Sequence, residues 1–443
     1  MMTLTSCAEF VATADAPADV HPMVTRAVAD CFGCILAGTD SEVATRVRSV
    51  LVVVGAGNAP LYGAGQQVAP GYAALGNAVS GHAYDLDDWE EPGNTHPTIV
   101  ILPAVLAVAE VVPLTGAQML NAYCVGFEMI CRLGEAVTLG HYTRGFHSTA
   151  TLGAIGAAAA CARALGLDRE QSAHAMAISV SQATGYTIQF GSSVKPLQAG
   201  QAARAGFEAA MLARAGATGK PQVLDSDRGF NGLMGAGTPD SFAHAIAKLG
   251  RPWALQEYGL LIKPWPSCSY IHRLMTAALE LRRQMAHDEV VQVRASLPDF
   301  HKAILPFDQP TTQTEALFSV PACVAQVLVS GDLTMADSAA GFWQRPEVAR
   351  LIAVTDVTTV APRNPALNYD PAQPDALELV GQGGRVVRGL CDYPLGSRQT
   401  PMSDAQYAAK YSSITGRAAT EFTRLLGWRD TQDIAGFFRK GTT

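Results

Sequence analysis

The sequence predicts a mainly α protein in which a large all-helical domain carries a smaller, inserted α+β domain. Three observations predict it. The 443 residues exceed what one ordinary hydrophobic core needs, so two domains are expected. Apolar residues recur at helical spacing up to residue 262, whereas strand-like runs begin only beyond it. Many of the early helices are rich in Ala and Gly, which lets helix backbones approach closely inside a bundle.

The periodicity divides the chain into three parts. Residues 1–262 form the first part of the helical domain, 263–400 the α+β domain, and 401–443 are C-terminal helices returning to the helical domain. Helices of the first part are predicted at 24–36, 99–111, 117–133, 149–165, 168–183 and 199–215. The α+β part is predicted to contain helices at 272–284 and 315–329, strands at 290–297 and 352–360, and a hairpin of 377–380 with 386–391. Ser403 and Gln406 form a capping box for the next helix.

The composition excludes several function classes. Hydrophobic residues make up 48% and charged residues 16% of the chain, which indicates a compact fold. The net charge is −7 and no basic run occurs, so neither nucleic acid nor membrane is expected as a partner. The N-terminus lacks the basic start and apolar core of a signal peptide. The spacing of the nine cysteines shows no pattern of disulfide pairing. We therefore expect a cytoplasmic protein with reduced thiols, and interpret the C-x-x-C of Cys31 and Cys34 as structural.

The segment from Gly81 to His96 holds five carboxylates and two imidazoles. If its first part is helical, His82, Asp85 and Asp88 share a face while Asp87 points elsewhere. Pro92 and Gly93 then break the helix and leave His96 on a loop. Crowded carboxylates can raise one pKa and create a general acid or base.

Two other interpretations of this segment are a solvated helix end and a divalent metal site. The aspartates lack the alternation and the later Glu of a calcium loop. His82 and His96 lack the spacing of a zinc helix. No metal is predicted. The chain also has no P-loop and no complete GxGxxG after a strand, so no cofactor is predicted.

Three further segments carry candidate residues. Gly145 allows a turn before His147, and Ser148 or Thr149 could cap the next helix. His147 would then lie at a helix N-terminus, where its pKa falls and an anion is attracted, although it could also be only part of the cap.

Lys195 lies among small residues before an Ala-rich helix, where a lysine has either a buried partner or a snorkelling path to solvent. The junction segment 263–272 contains Lys263, Cys268 and His272. Clefts form at such junctions. A Cys268–His272 nucleophile pair lacks a third, orienting group, so covalent catalysis is not expected.

Together these four segments resemble the MmgE/PrpD family. The resemblance rests on His82-x-x-Asp85-x-Asp-Asp with His96-Pro, Gly145-Phe-His147-x-Thr149, Lys195-Pro-Leu-x-Ala-Gly200, and Lys263-x-x-Pro-Ser-Cys268-x-x-His272, in the family's order over roughly residues 5–430. It implies a helical domain with an α+β lid, a site between the domains, a homodimer, and chemistry without metal or cofactor.

Carried over by position, the resemblance implies a catalytic set of Asp85, His96, His147, Lys195 and Lys263. Around it we expect substrate contacts from His82, Asp88, Trp89, Arg144, Gln198, Cys268 and His272. Three positions depart from the family pattern: Trp89 stands where Thr is common, Gln198 where His is frequent, and Ala322 where the lid often carries Tyr.

The expected function is a dehydratase-like lyase that abstracts a proton next to a carboxylate of a small di- or tricarboxylate. The alternatives are an epimerase of a dicarboxylate such as iminodisuccinate, a cis-aconitate-type decarboxylase, and a carboxylate binder without catalysis.

Overall fold

The computed structural model describes residues 3–235, 237–285, 288–364 and 367–441. Most of the larger domain is helical, and its only described strands, Ala59–Leu61 and Gln66–Val68, form a short antiparallel pair. Its helices are Thr3–Thr13, His21–Gly38, Glu42–Val54, Pro70–His82, Pro97–Ala109, Gly116–Thr143, Ser148–Ala164, Arg169–Val180, Val194–Arg214, Phe230–Met234, Pro239–Ala247 and Ala254–Glu257. The mainly α class is thus confirmed.

Small residues let the central helices pack closely. Ser148–Ala164 lies between Val194–Arg214 and Gly116–Thr143, and it is buried along almost its whole length. A Cβ atom on Gly206 would lie 2.4 Å from Cβ of Ala157, closer than side chains approach. Glycine is therefore required where these two helices cross.

Two predicted helix bounds in this domain were wrong in ways that affect the site. The helix predicted from residue 199 begins at Val194, so Lys195 lies in its first turn. The helix predicted to end at residue 133 continues to Thr143 across a kink at Thr138, whose φ is 59°.

The smaller domain is built on a four-stranded sheet. Its order is Thr355–Val360, Val290–Pro298, Asp375–Gly381, Val386–Cys391; the first pair is parallel and the other two pairs are antiparallel. The helices packed around it are His272–Gln284, Asp299–Ile304, Gln313–Ala316, Val320–Ser330, Met335–Ala339 and Pro346–Ala353.

Two predictions for the smaller domain were wrong. Ile352, expected in a strand, belongs to the helix Pro346–Ala353, so the strand begins only at Thr355. The helix expected over 315–329 is interrupted after Ala316 and restarts at Val320. The side chain of Ser319 caps the restart by accepting from the Ala322 amide, and Pro321 favours a helix start.

The two domains have separate hydrophobic cores. The C-terminal helices Asp404–Thr415, Ala419–Leu425 and Ile434–Lys440 bury side chains in the core of the larger domain. Trp89 and Tyr142, from the larger domain, instead pack into the core of the smaller one. These two aromatic residues therefore lie at the junction of the domains.

One described segment, Ala18–Gly38, is long and apolar enough to cross a membrane by length and composition alone. Most of its residues are buried against other helices of the larger domain, as in the core helix of a folded protein.

Candidate active site

The site is organised by a turn over residues 83–88, here named the Asp85 turn. The helix predicted to carry Asp85 and Asp88 ends at His82, and Asp85 adopts a φ of 53°. The left-handed conformation costs a residue with a Cβ atom about 1–2 kcal/mol. Lys263 offsets this strain because its Nζ donates to both the carbonyl oxygen and Oδ1 of Asp85, each at 2.8 Å.

Two buried ammonium groups meet on one carboxylate oxygen. Lys195 Nζ lies 2.7 Å and Lys263 Nζ 2.8 Å from Oδ1 of Asp85. Burial alone would raise the pKa of Asp85, but the two lysines outweigh it and hold the pKa far below its usual range. Asp85 is therefore ionised. Its Oδ2 atom is buried and has no hydrogen-bond partner among the described residues.

Asp87 joins two histidines, contrary to the prediction that it points elsewhere. Nδ1 of His82 donates to Asp87 at 2.8 Å, and Nδ1 of His96 lies 3.3 Å from Oδ2 of Asp87. Nε2 of His96 lies 3.4 Å from Oδ1 of Asp85. Burial and the charge of Lys263 lower the pKa of His96 to about 4, so its imidazole is neutral near pH 7.

His147 occupies the N-cap position of Ser148–Ala164. No side chain caps this helix start, so the expected Ser148 or Thr149 cap was wrong; Thr149 Oγ1 instead accepts from the His96 amide at 3.1 Å. Nδ1 of His147 lies 2.5 Å from Oε1 of Gln198. An amide oxygen can only accept, so Nδ1 carries the proton and Nε2 has the free lone pair. Burial and the Lys195 charge lower the pKa of His147 well below its ordinary value.

A cavity of about 20 Å³ is bordered by Asp85, His96, His147 and Lys195, whereas Lys263 lies behind Asp85, outside the lining. Its lining residues are Asp85, Trp89, Asn94, His96, Tyr142, His147, Thr149, Phe190, Lys195, Cys268, Ser269, Tyr270 and Phe318. One wall is thus ionic and the other mainly aromatic. The sequence prediction missed Asn94, Tyr142, Phe190, Tyr270 and Phe318.

Hydrogen bonds join the aromatic wall across the domain junction. Trp89 Nε1 donates to Asn94 Oδ1 at 2.6 Å, and Asn94 Nδ2 donates to the Tyr270 hydroxyl at 2.8 Å. The same hydroxyl donates to Asn368 Oδ1 at 2.6 Å. The loop that carries His96 is therefore fixed to the smaller domain.

Comparison with known proteins identifies the family of this chain. The N-terminal domain model of MmgE/PrpD matches residues 3–243, and the C-terminal domain model matches residues 265–424. The chain belongs to the MmgE/PrpD family.

Curated relatives of this MmgE/PrpD protein include cis-aconitate decarboxylases. The one from Homo sapiens is 29% identical over 424 residues, which cover 92% of this chain and 85% of the relative. The one from Mus musculus is 28% identical, covering 74% and 69%, and one from Aspergillus terreus is 26% identical, covering 93% and 88%. The protein is an enzyme of the lyase type.

The five predicted catalytic residues of this MmgE/PrpD protein, Asp85, His96, His147, Lys195 and Lys263, come together as described above. Of the predicted substrate contacts, Trp89 and Cys268 line the cavity, and the His82 ring lies 4.5 Å from that of His96. Gln198 contacts His147. Their roles in catalysis and binding stay predictions.

Three predicted substrate contacts lie elsewhere. Asp88 turns away and accepts from the hydroxyl and amide of Thr98; burial raises its pKa to about 8. Arg144 is exposed and donates to the Gly235 carbonyl. His272 is buried outside the cavity lining, 3.0 Å from Ser267 Oγ. The helical spacing that grouped Asp88 with Asp85 fails because the helix ends at His82.

Burial raises the pKa of the Cys268 thiol to about 11, which removes the thiolate that a nucleophile would need. Ligand atoms of His82, Asp85, Asp87 and His96 lie within 4.8 Å of one another, and this donor set alone would suit a divalent cation. Two ammonium groups already contact Asp85, however, and would repel a dication there. The residues present therefore fit an anionic ligand better than a metal.

Proposed function

We propose that this lyase acts on a tricarboxylate of the cis-aconitate type and moves a proton at a carbon next to a carboxylate. One observation carries the proposal. The buried ammonium groups of Lys195 and Lys263 lie near the imidazole of His147, which lines the cavity and has a free lone pair on Nε2. Proton transfer at such a carbon needs a base and a cationic partner for the developing enediolate.

Lys195 and Lys263 would supply the cationic partner. A substrate carboxylate can replace Asp85 as acceptor for at least one ammonium, because both lysines share a single oxygen of Asp85. As negative charge moves onto the carboxylate oxygens during proton loss, the lysines stabilise it in a region that excludes water.

His147 is the proposed base and His96 the proposed acid. The neutral His147 ring presents Nε2, while Gln198 holds the other ring nitrogen. His96 lies near both Asp85 and Asp87. A bound polyanion would raise the pKa of the His96 ring, so that His96 takes up a proton on binding and can deliver it during turnover.

Decarboxylation is the first candidate reaction, supported by the relatives. The C–C bond to one carboxylate breaks, its electron pair passes into the conjugated carboxylate system, CO₂ leaves, and a carbon of the remaining acid accepts a proton. In this reaction the two lysines stabilise the developing charge and protonated His96 supplies the proton, whereas His147 acts as a base in the reactions that remove a proton from carbon.

Dehydration is the second candidate. The base takes a proton next to a carboxylate, and the β-hydroxyl leaves as water with a proton from the acid. Ala322 offers no hydroxyl at the position where the family often has Tyr, and it is buried at the start of the helix Val320–Ser330. This departure favours epimerisation rather than dehydration. Epimerisation, with one histidine on each face, remains the alternative outside the lyase class.

The cavity must enlarge to admit substrate. A volume of about 20 Å³ is enough to hold a single water molecule but far too small for a tricarboxylate. A neighbouring pocket of about 90 Å³ shares Asp85, Lys195 and Phe318 with it. We therefore propose that the smaller domain closes as a lid after substrate has entered.

Proton NMR in the presence of excess EDTA would test the proposal. The enzyme would be mixed separately with cis-aconitate, citrate, 2-methylcitrate and iminodisuccinate. A terminal alkene signal and loss of CO₂ from cis-aconitate is the expected result. A new alkene from a hydroxy acid would establish dehydration, and inversion of iminodisuccinate without an alkene would establish the epimerase. Turnover that requires a metal, or binding of a tricarboxylate without any turnover, would contradict the proposal.

We further propose that the protein is a cytoplasmic homodimer. The family resemblance supports the dimer, which size-exclusion chromatography with light scattering would test. The nine free, buried cysteines are typical of a reducing compartment and support the location.

A further inference from the structure

A second buried ion pair lies directly behind the Asp85 turn. Nζ of Lys410, on the helix Asp404–Thr415, donates to Oδ2 of Asp30 at 2.7 Å and to the carbonyl oxygen of Leu86 at 3.2 Å. The side chains of Lys410 and Asp30 are each only 3% exposed. Leu86 stands between Asp85 and Asp87, the two carboxylates of the site.

We infer that Lys410 is a positioning residue, which fixes the Asp85 turn by holding the Leu86 carbonyl, with Asp30 fixing Lys410 in turn. The catalytic consequence rests on the proposed function, whereas the holding of the turn does not.

The geometry of the turn requires such an anchor. Asp85 has a left-handed backbone, so the turn is strained and needs fixed contacts to persist. Lys263 binds the carbonyl of Asp85, and Lys410 binds the next carbonyl, that of Leu86. Two lysines from distant parts of the chain thus hold consecutive carbonyls, and this sets the directions of the Asp85 and Asp87 side chains.

Stability alone does not account for the pair. Burying two charges is unfavourable, and replacing a buried ion pair by apolar residues of similar size is often neutral or stabilising. The pair also lies close to the site, because, besides burial, the charge of Asp87 contributes to raising the pKa of Asp30. The hydrogen bond from the Lys410 ammonium to the Leu86 carbonyl explains why a charged donor is present at this place.

The test compares two double variants. Asp30→Leu with Lys410→Met removes the buried pair without leaving a lone charge. Arg26→Met with Asp404→Asn is the matched control: that pair joins the same two helices, Nε to Oδ1 at 2.8 Å, but it is largely exposed and has no described contact with the turn.

Amide hydrogen exchange of residues 83–89 gives a reading that needs no substrate. We expect faster exchange there in the Asp30→Leu/Lys410→Met protein than in the control, with exchange elsewhere in the helical domain unchanged. If this variant does not fold, Asp30→Asn alone, which keeps the ammonium but removes the charge that holds it, should show the same change at smaller amplitude.

Turnover gives the second reading. We expect kcat/KM to fall about 10- to 100-fold in the Asp30→Leu/Lys410→Met protein, since small displacements of catalytic groups have effects of that size. The alkaline limb of the pH profile should also move to higher pH, because water entering beside His96, the proposed acid, relieves its burial and raises its pKa. The groups facing His96 are Lys263, Asp87, His82 and Asp85.

Unchanged exchange at residues 83–89 would overturn the inference. Faster exchange with wild-type kcat/KM and an unmoved alkaline limb would overturn the positioning role as well. If no acid is turned over even by the wild-type enzyme, the proposed function fails, while the exchange measurement still decides whether Lys410 holds the turn.

Discussion

Nδ1 of His147 and Oε1 of Gln198 lie 2.5 Å apart, and Nε2 of the same Gln198 amide donates to the Tyr186 carbonyl at 3.2 Å. The second bond fixes which end of the amide faces the imidazole. Gln198 thereby selects the tautomer of His147 in which Nε2 is unprotonated, and this makes His147 a base rather than a hydrogen-bond donor at that atom.

Gln198→Glu should shift the acid limb of kcat/KM to higher pH by about one unit or more. A carboxylate beside Nδ1 favours the imidazolium, so the pKa of His147 rises and the base becomes protonated over a wider acidic range. Steady-state rates from pH 4.5 to 8.5 would show the change. Gln182→Glu, at an exposed position, is the control. An identical limb in both variants would exclude His147 as the base.

Lys195→Met should reduce kcat/KM by at least about 100-fold while the melting temperature stays nearly unchanged, because Asp85 keeps Lys263 as a partner. Lys263→Met should reduce both, since the Asp85 carbonyl also loses its donor. Kinetics and calorimetry would separate the two effects. The exposed Lys220→Met variant is the control. Wild-type turnover in the Lys195 variant would remove this lysine from the site.

The adjacent residues Asp87 and Asp88 should differ in how strongly kcat depends on their carboxylates. Asp87→Asn weakens the acceptor of His82 and His96 and should lower kcat by about 10- to 1,000-fold. Asp88→Asn should change kcat less than about threefold at pH 7, because burial already raises the Asp88 pKa to about 8 and keeps it largely protonated.

Arg144→Met, which removes only a bond to the Gly235 carbonyl, should likewise leave kcat and KM unchanged. A large loss in either the Asp88 or the Arg144 variant, with the melting temperature retained, would restore those residues to the site.

His272 should make the protein less stable in acid. Burial, followed by the charge of Lys263, lowers its folded pKa to about 3, whereas the unfolded value is about 6.5. The unfolded chain therefore takes up the proton first as pH falls. The contribution of His272 to the free energy of unfolding is fully present above pH 6.5. It declines from there towards pH 3, by at most about 1.4 kcal/mol per pH unit.

His272→Asn should accordingly show a smaller fall in melting temperature between pH 7.5 and 5.0 than the wild type. His174→Asn, on a partly exposed ring, is the comparison. Equal falls in all three proteins would mean that His272 does not titrate in this way.

Much of the helical domain could be predicted because its signals are local. The capping box at Ser403 forms as expected, and in the smaller domain the helix His272–Gln284 has its predicted bounds. The interruption of the helix predicted over 315–329 was not foreseen, because the apolar pattern continues through Ser319. Only the Ser319 cap and Pro321 mark the point at which the helix restarts.

The residues of the site that belong to the family motifs could be predicted from the sequence. Those whose placement depends on backbone geometry could not. Nothing in the local sequence indicates that Asp85 adopts a left-handed conformation. Because of this conformation, Asp87 rather than Asp88 faces the histidines of the site. The aromatic wall was missed because Tyr142, Tyr270 and similar residues have the pattern of ordinary core positions. Lys410 was missed because it contacts Leu86 across 324 residues of sequence.

The central claim is that this site transfers a proton at carbon, with His147 as the base. The most direct test is to run the reaction in deuterium oxide with the wild type and with His147→Asn, and to locate deuterium by NMR. The account predicts deuterium at a carbon next to a carboxylate, in the product or the recovered substrate, and a rate at least about 100-fold lower in the variant. A product and substrate free of carbon-bound deuterium, or full speed in His147→Asn, would contradict it.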